Sequence, residues 1–124
     1  MNKKTKNKII NILRRASYSI KARGDAKRRT KIDRGVYQCE SCGVKMYDGK
    51  SEKNFQALQG KYPDIIQQKI ELDHVIPVID PQVGFVDWNQ FIERLWIEDP
   101  NGWQCLCREC HKKKTDDENK GRSR

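Results

Sequence analysis

The clearest periodic pattern of apolar residues runs from Asp87 to Ile97. Apolar side chains recur there every three or four positions, which is typical of a helix with one buried face; they are Trp88, Phe91, Ile92, Leu95 and Trp96. Asp87 with Gln90 three residues later resembles a capping box and predicts where this helix begins. The periodicity predicts that both tryptophans lie in the core and not on a binding surface.

A weaker helical pattern occupies the start of the chain, and Thr5 is a candidate N-cap for it. Its apolar stripe consists of Ile9, Ile10, Leu13, Ala16, Ser17 and Ile20. Gly24 interrupts the stripe, and we expect a second helix from Asp25 to about Arg34, with Asp25 as N-cap and Gly35 as its end. That helix has little apolar surface, so it must pack against another element or lie on nucleic acid.

Three short segments predict β-strands: 36–39, 70–76 and 103–106. The second alternates apolar and polar residues over its first four positions, and Pro77 ends it because proline cannot donate to a strand ladder. The turn-forming residues 99–102 precede the third strand.

The remaining segments set the expected organisation of the chain. Segment 45–69 is polar and predicts loops with one or two helical turns. A basic helix is expected from Cys107 to about Asp117, followed by a flexible tail over 118–124. We therefore expect a basic helical arm over 1–35 and one α+β domain over 36–117.

Positive charge is concentrated in that arm. The 124-residue chain has 26 Lys and Arg against 17 Asp and Glu, a net charge of +9. Residues 1–35 hold 13 basic and two acidic residues, whereas residues 36–124 hold 13 basic and 15 acidic residues. Such a block is typical of a surface that binds a polyanion; the candidate DNA contacts are Arg14, Arg15, Arg23, Lys27, Arg28 and Arg29. The alternative is that the arm is a solvated, partly disordered tail. Binding to a membrane surface is disfavoured, because the arm has no Trp or Phe to anchor it.

Hydropathy and cysteine content restrict the class of protein to which this chain can belong. No apolar run approaches the roughly 20 residues of a membrane span, and no apolar segment of a secretory signal follows the basic start. We expect a cytoplasmic protein, in which thiols stay reduced. Its five cysteines then suggest metal ligands before disulfides.

Four cysteines form two Cys-x-x-Cys pairs, Cys39 with Cys42 and Cys107 with Cys110. Each pair can direct two sulfurs at one ion from a tight turn, and two pairs complete a tetrahedral zinc site. A site closed by four thiolates has no open position, so this zinc would be structural. Cys105 is interpreted as a core residue, with exchange for a ligand cysteine as the alternative.

Both histidines lie beside a potential ligand or acid. His74 follows Asp73 on a predicted strand, where successive side chains point to opposite faces unless the chain bends. His111 follows Cys110 on the last helix and is turned about 100° from it. One helix can therefore face zinc on one side and a second site on the other.

These residues together resemble the HNH endonucleases, especially the small zinc-containing kind encoded by bacteriophages. The resemblance covers most of residues 9–116 and is weak over 44–69. It rests on the Cys39–Cys42 pair, on LDHVIP over 72–77, on QCLCRECHKKKT over 104–115 and on the basic stretch LRRASY over 13–18.

The resemblance implies a ββα-metal fold, in which the strands near 70–76 and 103–106 precede the last helix. It implies that His74 is the general base that activates water. It also implies that Asp73 and His111 hold one divalent cation, Mg²⁺, Mn²⁺ or another, at the scissile phosphate. Such a cation offsets the negative charge that phosphodiester cleavage builds up.

Two further positions acquire roles through the same resemblance. Lys114 is a candidate phosphate contact, and Thr115 either completes the metal shell or packs. The sequence departs from the family at Gly102, where an asparagine usually precedes the residue matching Trp103. Either Asn101 takes that role from a shifted turn, or the role is lost.

Three functions therefore compete. The first is a metal-dependent DNA endonuclease in a bacterial host cell, with a structural zinc and an arm that binds the DNA backbone. The second is a zinc-dependent nucleic-acid-binding module without catalysis, which would not need Asp73, His74 and His111. The third is an assembly protein that serves phage DNA packaging beside a terminase.

Overall fold

A computed structural model describes residues 1–120 as an α+β chain. Its helices are α1 (Lys3–Ser17), α2 (Lys21–Arg29), α3 (Glu52–Lys61), α4 (Trp88–Leu95) and α5 (Arg108–Lys120), with a 3₁₀ turn at Pro100–Gly102. Its strands are β1 (Lys31–Asp33), β2 (Val36–Gln38), β3 (Lys45–Tyr47), β4 (Ile66–Gln67), β5 (Glu71–His74) and β6 (Trp103–Leu106). No helix within residues 1–120 is long and apolar enough to cross a membrane.

The strands form two separate sheets. One has the order β1-β2-β3-β4, with β3 and β4 parallel and the other neighbours antiparallel. The other is the antiparallel pair of β5 and β6, in which Asp73 lies opposite Gln104 and His74 lies opposite Trp103. Helix α5 follows β6 directly and packs against both strands of this pair. The strand predicted over 103–106 is confirmed at its full length, and those predicted over 36–39 and 70–76 are confirmed in shortened form.

The N-terminal helices pack against the rest of the chain. Ala22 and Ala26 of α2 are buried together with Ile20 against Trp103 of β6. Ile10 of α1 is buried with side chains of α4. The apolar positions of this basic segment therefore contribute to the core.

Local predictions for the first 35 residues are partly wrong. Asn2, and not Thr5, caps α1, because its Oδ1 accepts a hydrogen bond from the Thr5 amide at 2.8 Å. Gly24 and Asp25 lie inside α2, which begins at Lys21. Burial against Trp103 fixes this register, and it outweighs the roughly 1 kcal/mol that a glycine costs inside a helix.

The segment 45–69 is more ordered than predicted, because it contains β3, α3 and β4. The Ser51 hydroxyl caps α3 by accepting a hydrogen bond from the Asn54 amide at 3.2 Å. Phe55, Leu58 and Tyr62 pack against a buried cluster of the larger sheet. Their spacing of three and four residues was the signal for this helix.

Helix α4 begins as predicted, with Asp87 accepting a hydrogen bond from the Gln90 amide at 2.7 Å. Phe91 and Leu95 are buried. The prediction that Trp96 lies in the core is wrong, because its side chain is 43% exposed. The helix ends at Leu95, so residue 96 leaves the helical stripe; Trp88 is partly buried beside the core cluster.

Helix α5 continues to Lys120, past the end predicted near Asp117. Ion pairs between residues four apart support this extension, among them Lys114 with Glu118 and Lys112 with Asp116. Residues 118–120 are therefore helical, and the rest of the predicted tail, 121–124, lies outside the described residues.

Candidate metal centre and active site

The four cysteines of the two Cys-x-x-Cys pairs converge on one point. Their sulfur atoms all lie within 4.8 Å of one another, and those of Cys42 and Cys107 are 3.8 Å apart. Cys39 and Cys42 lie on the turn after β2, which Gly43 completes with a positive φ of 80°. Cys107 and Cys110 lie at the start of α5, where the Cys110 amide points at the Cys107 sulfur at 3.4 Å.

This geometry fits one tetrahedral ion. Sulfurs about 2.3 Å from a zinc ion are about 3.8 Å from one another. Burial acts to raise the pKa of Cys39, but amides that include those of Cys42 and Cys107 lower it to about 7. Burial raises the pKa of Cys107 to about 12. Four adjacent thiols cannot all ionise without a cation between them, because the thiolates would repel one another. The four cysteines are therefore suited to binding a metal ion.

Cys105 does not belong to this group. It is fully buried, and burial raises the pKa of its thiol. Its amide donates to Glu40 Oε1 at 2.8 Å. Its predicted role as a core residue is confirmed.

The strand pair and α5 bring two of the predicted cation ligands together. Asp73 Oδ2 lies 4.0 Å from His111 Nε2, although 38 positions separate them in the sequence. Lys114 Nζ lies 2.8 Å from the same Asp73 oxygen. Lys114, predicted as a phosphate contact, is therefore already paired with a carboxylate of the same chain. The Thr115 side chain is exposed.

Asp73 and His111 fit a divalent cation loosely. Two ligand atoms that are each about 2.1 Å from Mg²⁺ are at most about 4.2 Å apart. The observed 4.0 Å is within this limit but longer than the roughly 3.0 Å between adjacent octahedral ligands, so the two side chains would have to move closer to bind one ion as neighbours. A carboxylate suits Mg²⁺ or Mn²⁺ and an imidazole suits Zn²⁺ or Ni²⁺, so this pair is compatible with several divalent ions.

His74, the last residue of β5, is buried and is held from two sides. Its Nε2 lies 2.7 Å from the Leu95 carbonyl oxygen, and its ring lies 4.0 Å from the ring of Trp103, measured between centroids. A carbonyl only accepts, so Nε2 carries the proton and Nδ1 holds the lone pair. Burial lowers the pKa of His74, and the charges of Arg14 and Lys114 act in the same direction.

The turn before β6 anchors the segment that follows His74. The Gly102 carbonyl accepts a hydrogen bond from the Val75 amide at 2.9 Å. A Cβ at position 102 would lie 2.3 Å from Ile97 Cγ2, so glycine fits at this position and a larger residue would require Ile97 to move. Asn101 is exposed, and its amide donates to Asp99 Oδ1 at 2.9 Å. The contact to the His74 loop is thus made by a backbone carbonyl.

The six predicted DNA contacts of the N-terminal segment differ in their surroundings. Internal partners engage four of them: Lys27 pairs with Asp48, Arg28 with Asp25 and Arg29 with Glu40, while Arg23 lies over the ring of Tyr18. Arg15 is exposed and Arg14 is half-buried. DNA binding by these residues stays a prediction.

Two residues near the site were missed from the sequence. Glu118 pairs with Lys114, and its position four residues later on a helix was a usable signal. The Leu95 carbonyl that holds His74 had no sequence signal, because backbone atoms are common to all residues.

Comparison with protein-family models, with curated proteins and with solved structures finds no match for this chain.

Proposed function

We propose that the chain is a metal-dependent endonuclease of the HNH type that hydrolyses phosphodiester bonds in DNA. The observation that carries the proposal is the convergence of Asp73 Oδ2 and His111 Nε2 to 4.0 Å on the β5–β6–α5 unit. A buried imidazole, His74, comes directly after Asp73. A binding module has no need of this set.

His74 supplies the base in this proposal. Its Nε2–H is held by the Leu95 carbonyl, so Nδ1 can accept a proton from the attacking water. Because its pKa is lowered, the imidazole is neutral at pH 7 and competent as a base. Asp73 and His111 would hold the divalent cation, which when bound offsets the negative charge that develops on the phosphate and the leaving oxygen.

The four cysteines would hold zinc in a structural role. Four thiolates complete a tetrahedral shell and leave no position for water or substrate. The distances between the sulfur atoms agree with this assignment. The N-terminal helices would then bind the DNA backbone through their remaining cations, with an affinity that falls as salt rises.

The test is cleavage of supercoiled plasmid by zinc-loaded protein with Mg²⁺ or Mn²⁺ added. Wild type should produce nicked or linear DNA, and His74→Ala should produce neither. Zinc content and thermal unfolding of the variant serve as controls, since His74 also packs against Trp103. Cleavage by the variant at the wild-type rate would remove His74 as the base.

A second candidate is a non-catalytic, zinc-dependent nucleic-acid-binding protein or a phage packaging accessory beside a terminase. The observation that favours it is the ion pair between Lys114 and Asp73, which neutralises a proposed cation ligand. Salt-sensitive DNA binding without cleavage under any divalent ion would support this candidate.

A further inference from the structure

The positively charged ammonium group of Lys114 lies beside Asp73, where the proposed divalent cation would also bind. Its Nζ is 2.8 Å from Asp73 Oδ2, the oxygen that lies 4.0 Å from His111 Nε2. Lys114 also pairs with Glu118, one turn further along α5. We propose that Lys114 is a built-in competitor of the divalent cation at Asp73, and that Glu118 receives its ammonium group when the cation binds. The inference rests on the proposed function, because it takes Asp73 and His111 as the cation ligands.

Repulsion between the two cations determines the size of the effect. An ion about 2.1 Å from Asp73 Oδ2, with Lys114 Nζ still 2.8 Å from that oxygen, would be at most about 4.9 Å from the ammonium. Even with the screening of bulk water, a divalent and a monovalent charge at that separation repel enough to change affinity roughly ten-fold. The ammonium must therefore leave Asp73 before the ion binds tightly.

Glu118 gives the displaced ammonium a place to go. Its side chain is 26% exposed and already pairs with Lys114, so the exchange requires no new partner. Held by Glu118, the ammonium stays beside the site, where a phosphate oxygen of the substrate can reach it. Lys114 would thus change from a ligand of Asp73 into the phosphate contact that the sequence predicts.

Binding of Mn²⁺ in the absence of DNA tests this inference without relying on activity. The zinc-loaded protein is titrated with Mn²⁺, and the free ion is followed by electron paramagnetic resonance. Mn²⁺ prefers oxygen and nitrogen ligands, so it leaves the four thiolates to zinc. Asp73→Asn reports whether the ion binds at this site. Lys112→Met is the matched control, because Lys112 lies on the same helix and pairs with Asp116, also four residues later.

We expect Lys114→Met to bind Mn²⁺ roughly ten-fold more tightly than wild type, with Lys112→Met unchanged. Glu118→Gln should bind Mn²⁺ a few-fold more weakly, and this loss should vanish in the Lys114→Met background if Glu118 acts through the ammonium. A loss that persists in that background would show that Glu118 acts on the ion directly, and it would overturn the role of Glu118 as acceptor.

The remaining outcomes separate the two proposals. If Asp73→Asn loses Mn²⁺ binding but Lys114→Met binds no more tightly than wild type, the competitor role is wrong and the cation site stands. If Asp73→Asn binds Mn²⁺ like wild type, or if no variant binds the ion, the cation site itself is wrong and both proposals fail.

Discussion

Arg29 was predicted to contact DNA, but its guanidinium group links three parts of the fold. It forms two hydrogen bonds with Glu40, at 3.2 and 3.0 Å. It also donates to the carbonyls of Pro100 at 2.7 Å and Trp103 at 2.6 Å. The next residue towards the N-terminus, Arg28, pairs with Asp25 within α2. We therefore expect Arg29→Ala to destabilise the protein and Arg28→Ala to leave its stability nearly unchanged.

The magnitude follows from the exposure of each contact. The Arg29 and Glu40 side chains are 33% and 31% exposed, so their ion pair is worth at most about 1 kcal/mol. The bond to the partly buried Trp103 carbonyl is charge-assisted, and losing such a bond costs about 1.5–3 kcal/mol. We expect Arg29→Ala to lower the free energy of unfolding by about 2–3 kcal/mol in total, and Arg28→Ala by less than about 0.5 kcal/mol.

Urea unfolding followed by circular dichroism, at a fixed concentration of free zinc, measures both values. Arg29→Lys keeps the charge but cannot reach a carboxylate and two carbonyls from one planar group, so it should recover less than half of the loss. The reasoning is refuted if Arg29→Ala and Arg28→Ala unfold at the same urea concentration. It is also refuted if Arg29→Lys is as stable as wild type.

Three other predictions follow from the site. Gly102→Ala should cost about 1–3 kcal/mol of stability in urea unfolding, and less when Ile97 is also alanine, because the new Cβ meets Ile97; an equal cost in both backgrounds would contradict the steric explanation. Cys39→Ser should lose zinc and the folded state, whereas Cys105→Ser should still release one zinc per chain in a colorimetric metal assay. Equal zinc content in the two variants would argue against the assigned ligands. Burial lowers the pKa of His74 below the usual 6.5, so the proposed base stays neutral as the pH falls to 6.5, and plasmid cleavage should decline only below that pH. A decline that begins above pH 7 would show that another group sets the profile.

The features that the sequence predicted correctly depend on short spacings. The two Cys-x-x-Cys pairs and the cap at Asp87 need only a turn or a helix to place their atoms. The start of α2 was wrong because burial of Ile20 against Trp103, over 80 positions away, fixes that helix. The ion pair of Lys114 with Asp73 has the same origin, since 41 positions separate the two residues. Local spacing indicates which side chains can act, but long-range packing determines which of them are already engaged.

Helix α5 connects the cysteine cluster to the Asp73–His111 pair, because Cys110, His111 and Lys114 follow one another along it. Among residues 108–120, α5 has no buried side chain, so apolar packing contributes little to holding this helix against β5. The contacts that hold it include the cysteine cluster at its start, a hydrogen bond from the Arg108 amide to Gln68 Oε1 at 2.7 Å, and the pair between Lys114 and Asp73. A metal bound by the cysteines would fix the first turn of α5, and His111 directly follows the last of those cysteines. The separation of His111 from Asp73 would therefore be set by the metal that the cysteines bind, while the pair of Lys114 with Asp73 holds the helix at the other side of the proposed cation site.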